Sequence, residues 1–219
     1  IAGTNGKGST AALVTSVLTQ ASYMVGLYTS PSLHEPTERI RVGLKPISKA
    51  TFAILVSEVW QSVDWVSRNG GYGGVSYFEL LTAMAFTYFK QIGVKFQVIE
   101  VGLGGRLDAT NIVEPSVSVI TSISLDHTRV LGDKITLIAG EKAGIIKKGL
   151  PVVIAPQVEE VKNVLVQVAC EKEAPVTSVT DIMSWRNIST DGKGQSFDLH
   201  GPNGNYTLTM PLLGSHQLE

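Results

Sequence analysis

Cysteine is nearly absent from these 219 residues: Cys170 stands alone. A single thiol closes no internal disulfide and supports no Cys-rich zinc site. A reducing, cytoplasmic compartment is the expectation. An excess of one charge is also lacking. The formal net charge is −1 and like charges form no tail, so no overall field favours nucleic acid or an anionic membrane. No apolar run reaches the roughly 18 residues needed to cross a bilayer, and no secretory leader is visible. The first residue is Ile1, inside a glycine-rich loop, and the last is Glu219. A chain cut at both ends is therefore expected.

What is present is enough apolar material for one good-sized core, or one domain plus part of another; hydrophobic residues make up 43%. After Ser9, apolar residues at Leu13, Val14, Val17, Leu18 and Ala21 form a helical stripe. Residues 25–29 (VGLYT) have the pattern of a short strand. Prolines and charges over 31–46 predict a long loop. A second helix is expected from near Ser48, burying Phe52, Leu55, Val56, Val59 and Trp60. Residues 70–74 (GGYGG) form a flexible break. Ser76 and Glu79 then have capping-box spacing and open a third helix through Phe89.

Residues 96–101 (FQVIEV) and 116–123 (SVSVITSI) are apolar runs of the kind buried strands need. A helix near 134–146, a strand at 151–155 and an amphipathic helix at 158–172 follow. Strands alternating with helices predict an α/β fold, a mostly parallel sheet with helices on both faces. After about Thr180 the pattern changes. Residues 196–200 (SFDLH) and 206–212 (YTLTMPL) flank a Gly-Pro-Asn-Gly-Asn turn, predicting a small antiparallel hairpin near the C-terminus. Gly214 and Ser215 are expected to open a further helix. Internal repeats are absent.

The opening stretch, IAGTNGKGST, places three glycines and Lys7 directly before a helix. Backbone N–H groups at a helix start lack intrahelical partners and suit phosphate oxygens. Glycine lets the chain curl around them, and a lysine adds mobile positive charge. The match to G-x-x-x-x-G-K-[ST] is imperfect. Ile1 stands where the first glycine belongs, and Gly8 displaces the hydroxyl to Ser9. A simple glycine-rich turn is the bland alternative.

Ligands in open α/β sheets gather at the carboxyl ends of strands. Ser30 follows VGLYT, Glu100 ends FQVIEV, and Asp126 and His127 follow SVSVITSI. Taken singly, such groups more often cap, pair or fill. Together they suggest a divalent-ion set beside a triphosphate. Magnesium prefers oxygen and retains waters, so His127 suits a second metal position. These residues point to an enzyme that hydrolyses or transfers from ATP or GTP. They do not identify the acceptor.

Several segments go further. AGTNGKGST, LYTSPSL, ERIRVG, YFELLTAMAF, EVGLGGRLDATN, SLDHTRVLGD and EKAGIIKKG occur in this order across residues 2–149. In these blocks, and in the terminal LLGSHQ, the chain resembles the folylpolyglutamate synthase/dihydrofolate synthase family of the Mur ligase superfamily. The resemblance implies an ATP-dependent ligase. ATP phosphorylates the carboxylate of a folate or dihydropteroate, L-glutamate's amine attacks the acyl phosphate, and the tetrahedral adduct collapses to an amide. It implies ATP and Mg2+ as cofactors, a cytoplasmic monomer, and neither nucleic acid nor membrane as partner.

Carried over by resemblance, Asn5, Gly6, Lys7, Gly8 and Ser9 hold ATP. Ser30, Glu100 and His127 hold magnesium. Lys7 and His127 act in catalysis, with Lys142 as the family's carbamylated lysine. Ser76, Tyr77, Phe78, Glu79, Arg106, Leu107, Asp108 and Ala109 form the substrate side. Carbamylation needs a neutral amine, and at an ordinary pKa of about 10.4 roughly one lysine in 2,500 is neutral at pH 7. Burial or nearby cations must lower that value; otherwise Lys142 is a helix-end lysine. The capping box explains Ser76 and Glu79 without a ligand, and Arg106 has two uses, a substrate carboxylate or Asp108. The chain departs from the family at Ser32, where His is usual, with His34 two residues on, and at Glu35, Pro36 and Thr37. The resemblance implies that residues 1–219 are an incomplete N-terminal ATP-binding domain, Mur-ligase-like, with a β-rich insertion at about 180–213, and that the C-terminal glutamate-ligase domain is missing. Another Mur-type ligase, a P-loop kinase or GTPase switch, and a non-catalytic nucleotide-binding remnant are the alternatives.

Overall fold

A computed structural model of the chain describes residues 1–71 and 73–218. It divides into two compact units, Ile1 with Lys7–Val113 and Ala2–Gly6 with Glu114–Glu219.

The first unit runs α1 (Lys7–Gln20), β1 (Val25–Tyr28), a 3-10 turn (Pro36–Arg39), β2 (Ile40–Val42), β3 (Lys45–Pro46), α2 (Lys49–Asn69), α3 (Tyr77–Ile92), β4 (Phe96–Ile99) and a 3-10 turn (Ala109–Ile112). Its sheet has the order β3-β2-β1-β4. β1 and β4 are parallel, from Val25 opposite Phe96 to Tyr28 opposite Ile99. β2 and β3 add antiparallel. Every residue of β1 is buried, because the two-residue period sends its side chains into two different cores. Val25 and Leu27 meet Ala11 and Leu18 of α1. Tyr28 joins Leu55 and Val59 of α2 and Leu81, Met84, Ala85 and Phe89 of α3. Helices thus cover both faces. Gly26 is fixed by this packing: a Cβ there would stand 2.6–2.8 Å from the Phe89 ring.

The helix signals are realised locally. Ser48 caps α2, its hydroxyl accepting from Thr51 N–H at 3.0 Å. Ser76 and Glu79 form the capping box of α3, and Gly93 closes that helix in the left-handed region at φ 65°. The segment 31–46, expected as loop, instead carries the 3-10 turn and the β2–β3 hairpin, which turns through Gly43 at φ 58°. In the 70–74 break, Tyr72 lies outside the described residues.

The second unit runs β5 (Ser118–Ile120), α4 (Thr128–Leu131), α5 (Ile135–Ala143), β6 (Val152–Ile154), α6 (Glu159–Glu171), β7 (Val176–Ser178), α7 (Val179–Ile182), β8 (Ser184–Asp191), β9 (Gly194–Gly201), β10 (Gly204–Met210) and a 3-10 turn (Ser215–Gln217). β5, β6 and β7 form a parallel sheet. Ala2 bridges to Ile120 in the same sense: its N–H donates to Val119 O at 2.9 Å and its carbonyl accepts from Thr121 N–H at 2.8 Å. α5 packs on α6, where Ile138, Ala139, Val161, Leu165 and Ala169 are buried. β8, β9 and β10 form a separate antiparallel sheet with β9 central. It extends the expected hairpin by β8, whose residues SWRNISTD are mostly polar and exposed.

The architecture is therefore mixed α/β, as expected, but parallel pairing is divided. β1 with β4 lies in one unit and β5–β7 in the other. Among the described residues no helix is long and apolar enough to cross a membrane.

Candidate functional site

In the first unit the carboxyl ends of β1 and β4 converge. Glu100 follows β4, its N–H donating to Tyr28 O at 2.9 Å. Its carboxylate accepts the N–H of Ser30, two residues past the end of β1, at 2.9 Å. The start of α1 comes to the same place. Lys7 opens the helix, and a Cβ on Gly8 would lie 3.7 and 3.8 Å from the two Glu100 carboxylate oxygens. Hydrogen at that position leaves room between helix start and acid. Ser9 is in the first turn behind it.

Glu100 is only 4% exposed. Burial pushes its pKa up, against the Ser30 N–H bond and the positive charge of Lys7, which pull it down. A buried carboxylate in this balance is poised between proton and cation. The Glu100 carboxylate and the Ser30 hydroxyl supply oxygen, the donor that magnesium prefers, so these residues fit that ion. Among the described residues no group of three His, Cys, Asp or Glu side chains gathers as a metal cluster.

In the second unit the chain leading to the glycine loop is fastened along β5 and beyond. Gly3, at φ 148°, presses so closely on Thr121 that a Cβ would collide with that side chain. Thr4 and Asn5 N–H groups donate to Ser122 O, at 2.8 and 3.3 Å. The Thr4 hydroxyl donates to Ser124 O and accepts from Ser124 N–H, both at 3.1 Å. Lys142, 5% exposed, reaches from α5 to donate to Gly3 O at 2.7 Å. His127 caps α4 in the left-handed region, φ 48° and ψ 37°, which is uncommon for a residue with a Cβ. Asp126 explains it, accepting the His127 N–H at 2.8 Å. The imidazole stands 3.6 Å from the same carboxyl group with its side chain 58% exposed.

The stretches expected on the substrate side fall in the first unit. Ser76 N–H donates to Glu79 at 2.7 Å and Glu79 N–H to the Ser76 hydroxyl at 3.3 Å. Two bonds from Ser76 to the Glu79 carboxylate, that of its side chain first and that of its backbone N–H second, hold Glu79 below the usual carboxylate range. Tyr77 is 53% exposed. Phe78 turns inward, its ring 5.9 Å from that of Tyr28 and so near Gly102 that a Cβ there would meet it at 2.5 Å. Asp108 accepts from Leu103 N–H at 2.9 Å and from the Thr110 N–H at 3.0 Å and hydroxyl at 2.5 Å. It caps the turn that contains Ala109. Asn111 bonds the Arg106 carbonyl at 3.0 Å. Arg106 and Leu107 are exposed at the tip of this braced loop.

Two residues join the picture that sequence reading passed over. Gln157 donates to Thr121 O at 2.9 Å and accepts from Ile123 N–H at 3.1 Å, fixing the exit of β5. Arg39 lies over the Tyr77 ring. Gln157 carries no local signal, since its partners are distant in the chain; the ERIRVG block contained Arg39 but assigned it no task.

The family model described as the Mur ligase middle domain matches residues 1–219. The dihydrofolate synthase/folylpolyglutamate synthase of Bacillus subtilis is 42% identical over 221 residues, covering 100% of this chain and 51% of that protein. Folylpolyglutamate synthase of Mycobacterium tuberculosis, solved with ADP and AMPPCP, superposes with a TM-score of 0.93 at 40% identity, over 99% of this chain and 50% of that one. An FPGS–AMPPCP–folate complex superposes with a TM-score of 0.93 at 37% identity, over 99% of this chain and 53% of that one. The chain spans about half the length of the curated relatives it matches.

Proposed function

The chain belongs to the Mur ligase family, matched along its whole length by the middle-domain model, and from this premise we propose that it serves an ATP-dependent ligase that adds L-glutamate to folate, dihydropteroate or both. The observation that carries the reading is the meeting of the α1 start, Ser30 and Glu100 at one pair of strand ends. The names of the similar proteins point to the same chemistry.

A carboxylate is a poor electrophile. Transfer of the γ-phosphoryl group to it gives an acyl phosphate and ADP. The amino group of glutamate adds to the acyl carbon, loses a proton, and expels phosphate to leave the amide. In this reading Asn5, Gly6, Lys7, Gly8 and Ser9 cradle the triphosphate, with Lys7 offsetting charge on the phosphoryl group. Ser30 and Glu100 are the residues of the first unit to hold Mg2+. Bound there, the ion would neutralise phosphate charge.

Lys142 belongs to the proposal as a carbamylated residue, its Nζ retaining an N–H for Gly3 O. Equilibration with 13C-labelled carbon dioxide should then yield a carbamate resonance that Lys142→Arg lacks. Tyr77 with the loop bearing Arg106, Leu107, Asp108 and Ala109 forms the folate side, with Ser76, Phe78 and Glu79 setting the helix that presents Tyr77.

Glutamate incorporation by the full-length protein tests the function. Phosphate release should require ATP, magnesium, glutamate and a pteridine acid together. Release from nucleotide alone at the full rate would favour a switch-type hydrolase.

A further inference from the structure

β5 ends at Ile120 and β6 at Ile154. Their pairing runs one step further, with Ala155 N–H donating to Ile120 O at 2.9 Å. There the backbone ladder stops, because the next residue, Pro156, carries no N–H. The side chain of Gln157 takes over. Its Nε2 donates to Thr121 O at 2.9 Å and its Oε1 accepts from Ile123 N–H at 3.1 Å. One carboxamide thus grips the backbone on both sides of Ser122.

Ser122 is where the glycine-rich loop leans. Its carbonyl accepts the N–H groups of Thr4 and Asn5, and Ser124 exchanges two bonds with the Thr4 hydroxyl. Residues 121–124 belong to no helix or strand. Among the described residues, their hydrogen bonds go to Ala2, Thr4, Asn5 and Gln157 alone. The first three are part of the loop being supported, so Gln157 is the anchor from outside it. A carboxamide suits the task, since it offers a donor and an acceptor in one plane.

We propose that Gln157 is a positioning residue for the phosphate loop. It fixes the Ser122 carbonyl, and through it the backbone of Thr4 and Asn5 that meets the nucleotide. This rests on the ATP-binding role proposed for Asn5. Gln157 acts through residues 121–124 and not on the substrate itself.

The test uses the full-length protein and two variants of nearly equal size. Gln157→Glu loses the donor and sets an acceptor against Thr121 O; Gln157→Met loses both bonds. Each should lower kcat/KM for ATP by about tenfold to a hundredfold, the scale on which a displaced binding group is felt. The KM for tetrahydrofolate should stay unchanged, and amide exchange at Thr4 and Asn5 should quicken. If neither variant folds, the wild-type protein decides. Coupling between sites is reciprocal, so a non-hydrolysable ATP analogue that slows exchange at Thr4 and Asn5 should slow it at Ile123 too. A lowered thermal midpoint with unchanged kinetic constants overturns the proposal, as does an equal KM rise for both substrates or exchange at Ile123 that ignores the analogue. A wild-type protein that binds the analogue but forms no amide overturns the ligase reading alone, and the analogue's Kd in the variants then reads the role of Gln157. A wild-type protein that binds no nucleotide overturns both.

Discussion

The N–H of Ser30 donates to the carboxylate of Glu100 at 2.9 Å, tying the end of β1 to the end of β4. One carboxylate thereby serves two tasks. It closes the sheet where two parallel strands stop, and it sets a buried carboxyl group beside the start of α1. Burial disfavours its charged form and raises its pKa, while the Ser30 N–H and Lys7 oppose that shift.

The pH dependence of stability follows. Burial raises the native pKa of Glu100 above its ordinary value of 4.5. Between that value and the raised one, the native protein holds a proton that the unfolded chain has released. Metal-free stability should therefore fall as pH rises through this window. Glu100→Gln should remove that slope and abolish stabilisation by magnesium. Thermal midpoints across pH, with and without the ion, check both. A retained magnesium effect in the variant would place the ion elsewhere.

Lys7→Ala in the full-length protein should lower turnover by about 10²–10³-fold, the usual loss for one preorganised charge-stabilising group. Single-turnover kinetics under saturating ATP measure it. A variant at the wild-type rate would refute the proposed phosphate role of Lys7.

Gly26→Ala should destabilise the protein by about 1–3 kcal/mol, because the new methyl must displace the Phe89 ring from a packed core. At Gly140 on α5, where φ is not positive, a Cβ would meet nothing within 4 Å. Gly140→Ala should instead be stabilising by about 0.4–1 kcal/mol. Urea unfolding of the pair separates close packing from chain entropy.

Glu38 clasps the loop before β2, accepting N–H groups of Leu33, His34 and Glu35 at 2.9, 3.2 and 3.0 Å. These bonds, with that of Glu35 first, hold its pKa below the usual carboxylate range. The clasp is complete above about pH 4.5 and opens as pH falls through the lowered value. Glu38→Gln should speed hydrogen exchange at those three amides while sparing the amides of α3. Unchanged exchange would mean that the loop is held by its backbone alone.

Sequence pattern revealed what local rules govern. Ser76 and Glu79 announce a helix start by spacing, and the structure builds both bonds of the box. FQVIEV is a strand because apolar residues crowd it, which places Glu100 at its end. The same rules fail over 31–46. β2 and β3 are too short to show a period, and prolines and charges suggested loop. β8 is hidden by its polar, exposed composition; its pairing with β9, not its own pattern, makes it a strand. Arg39 over Tyr77 and Gln157 on Thr121 join distant parts of the chain, where spacing has no voice. His34, conspicuous as a departure in sequence, lies 3.6 Å from the carboxylate of Glu38.

The bond from Lys142 to the carbonyl of Gly3 has an evolutionary corollary. Beyond any role of its amine in the proposed reaction, position 142 anchors the leading edge of the glycine-rich loop. Shortening that side chain would release the carbonyl as well as delete the amine. Drift at position 142 is thus penalised through the loop as well, whereas Gly3 is held to glycine by its φ of 148° and its contact with Thr121.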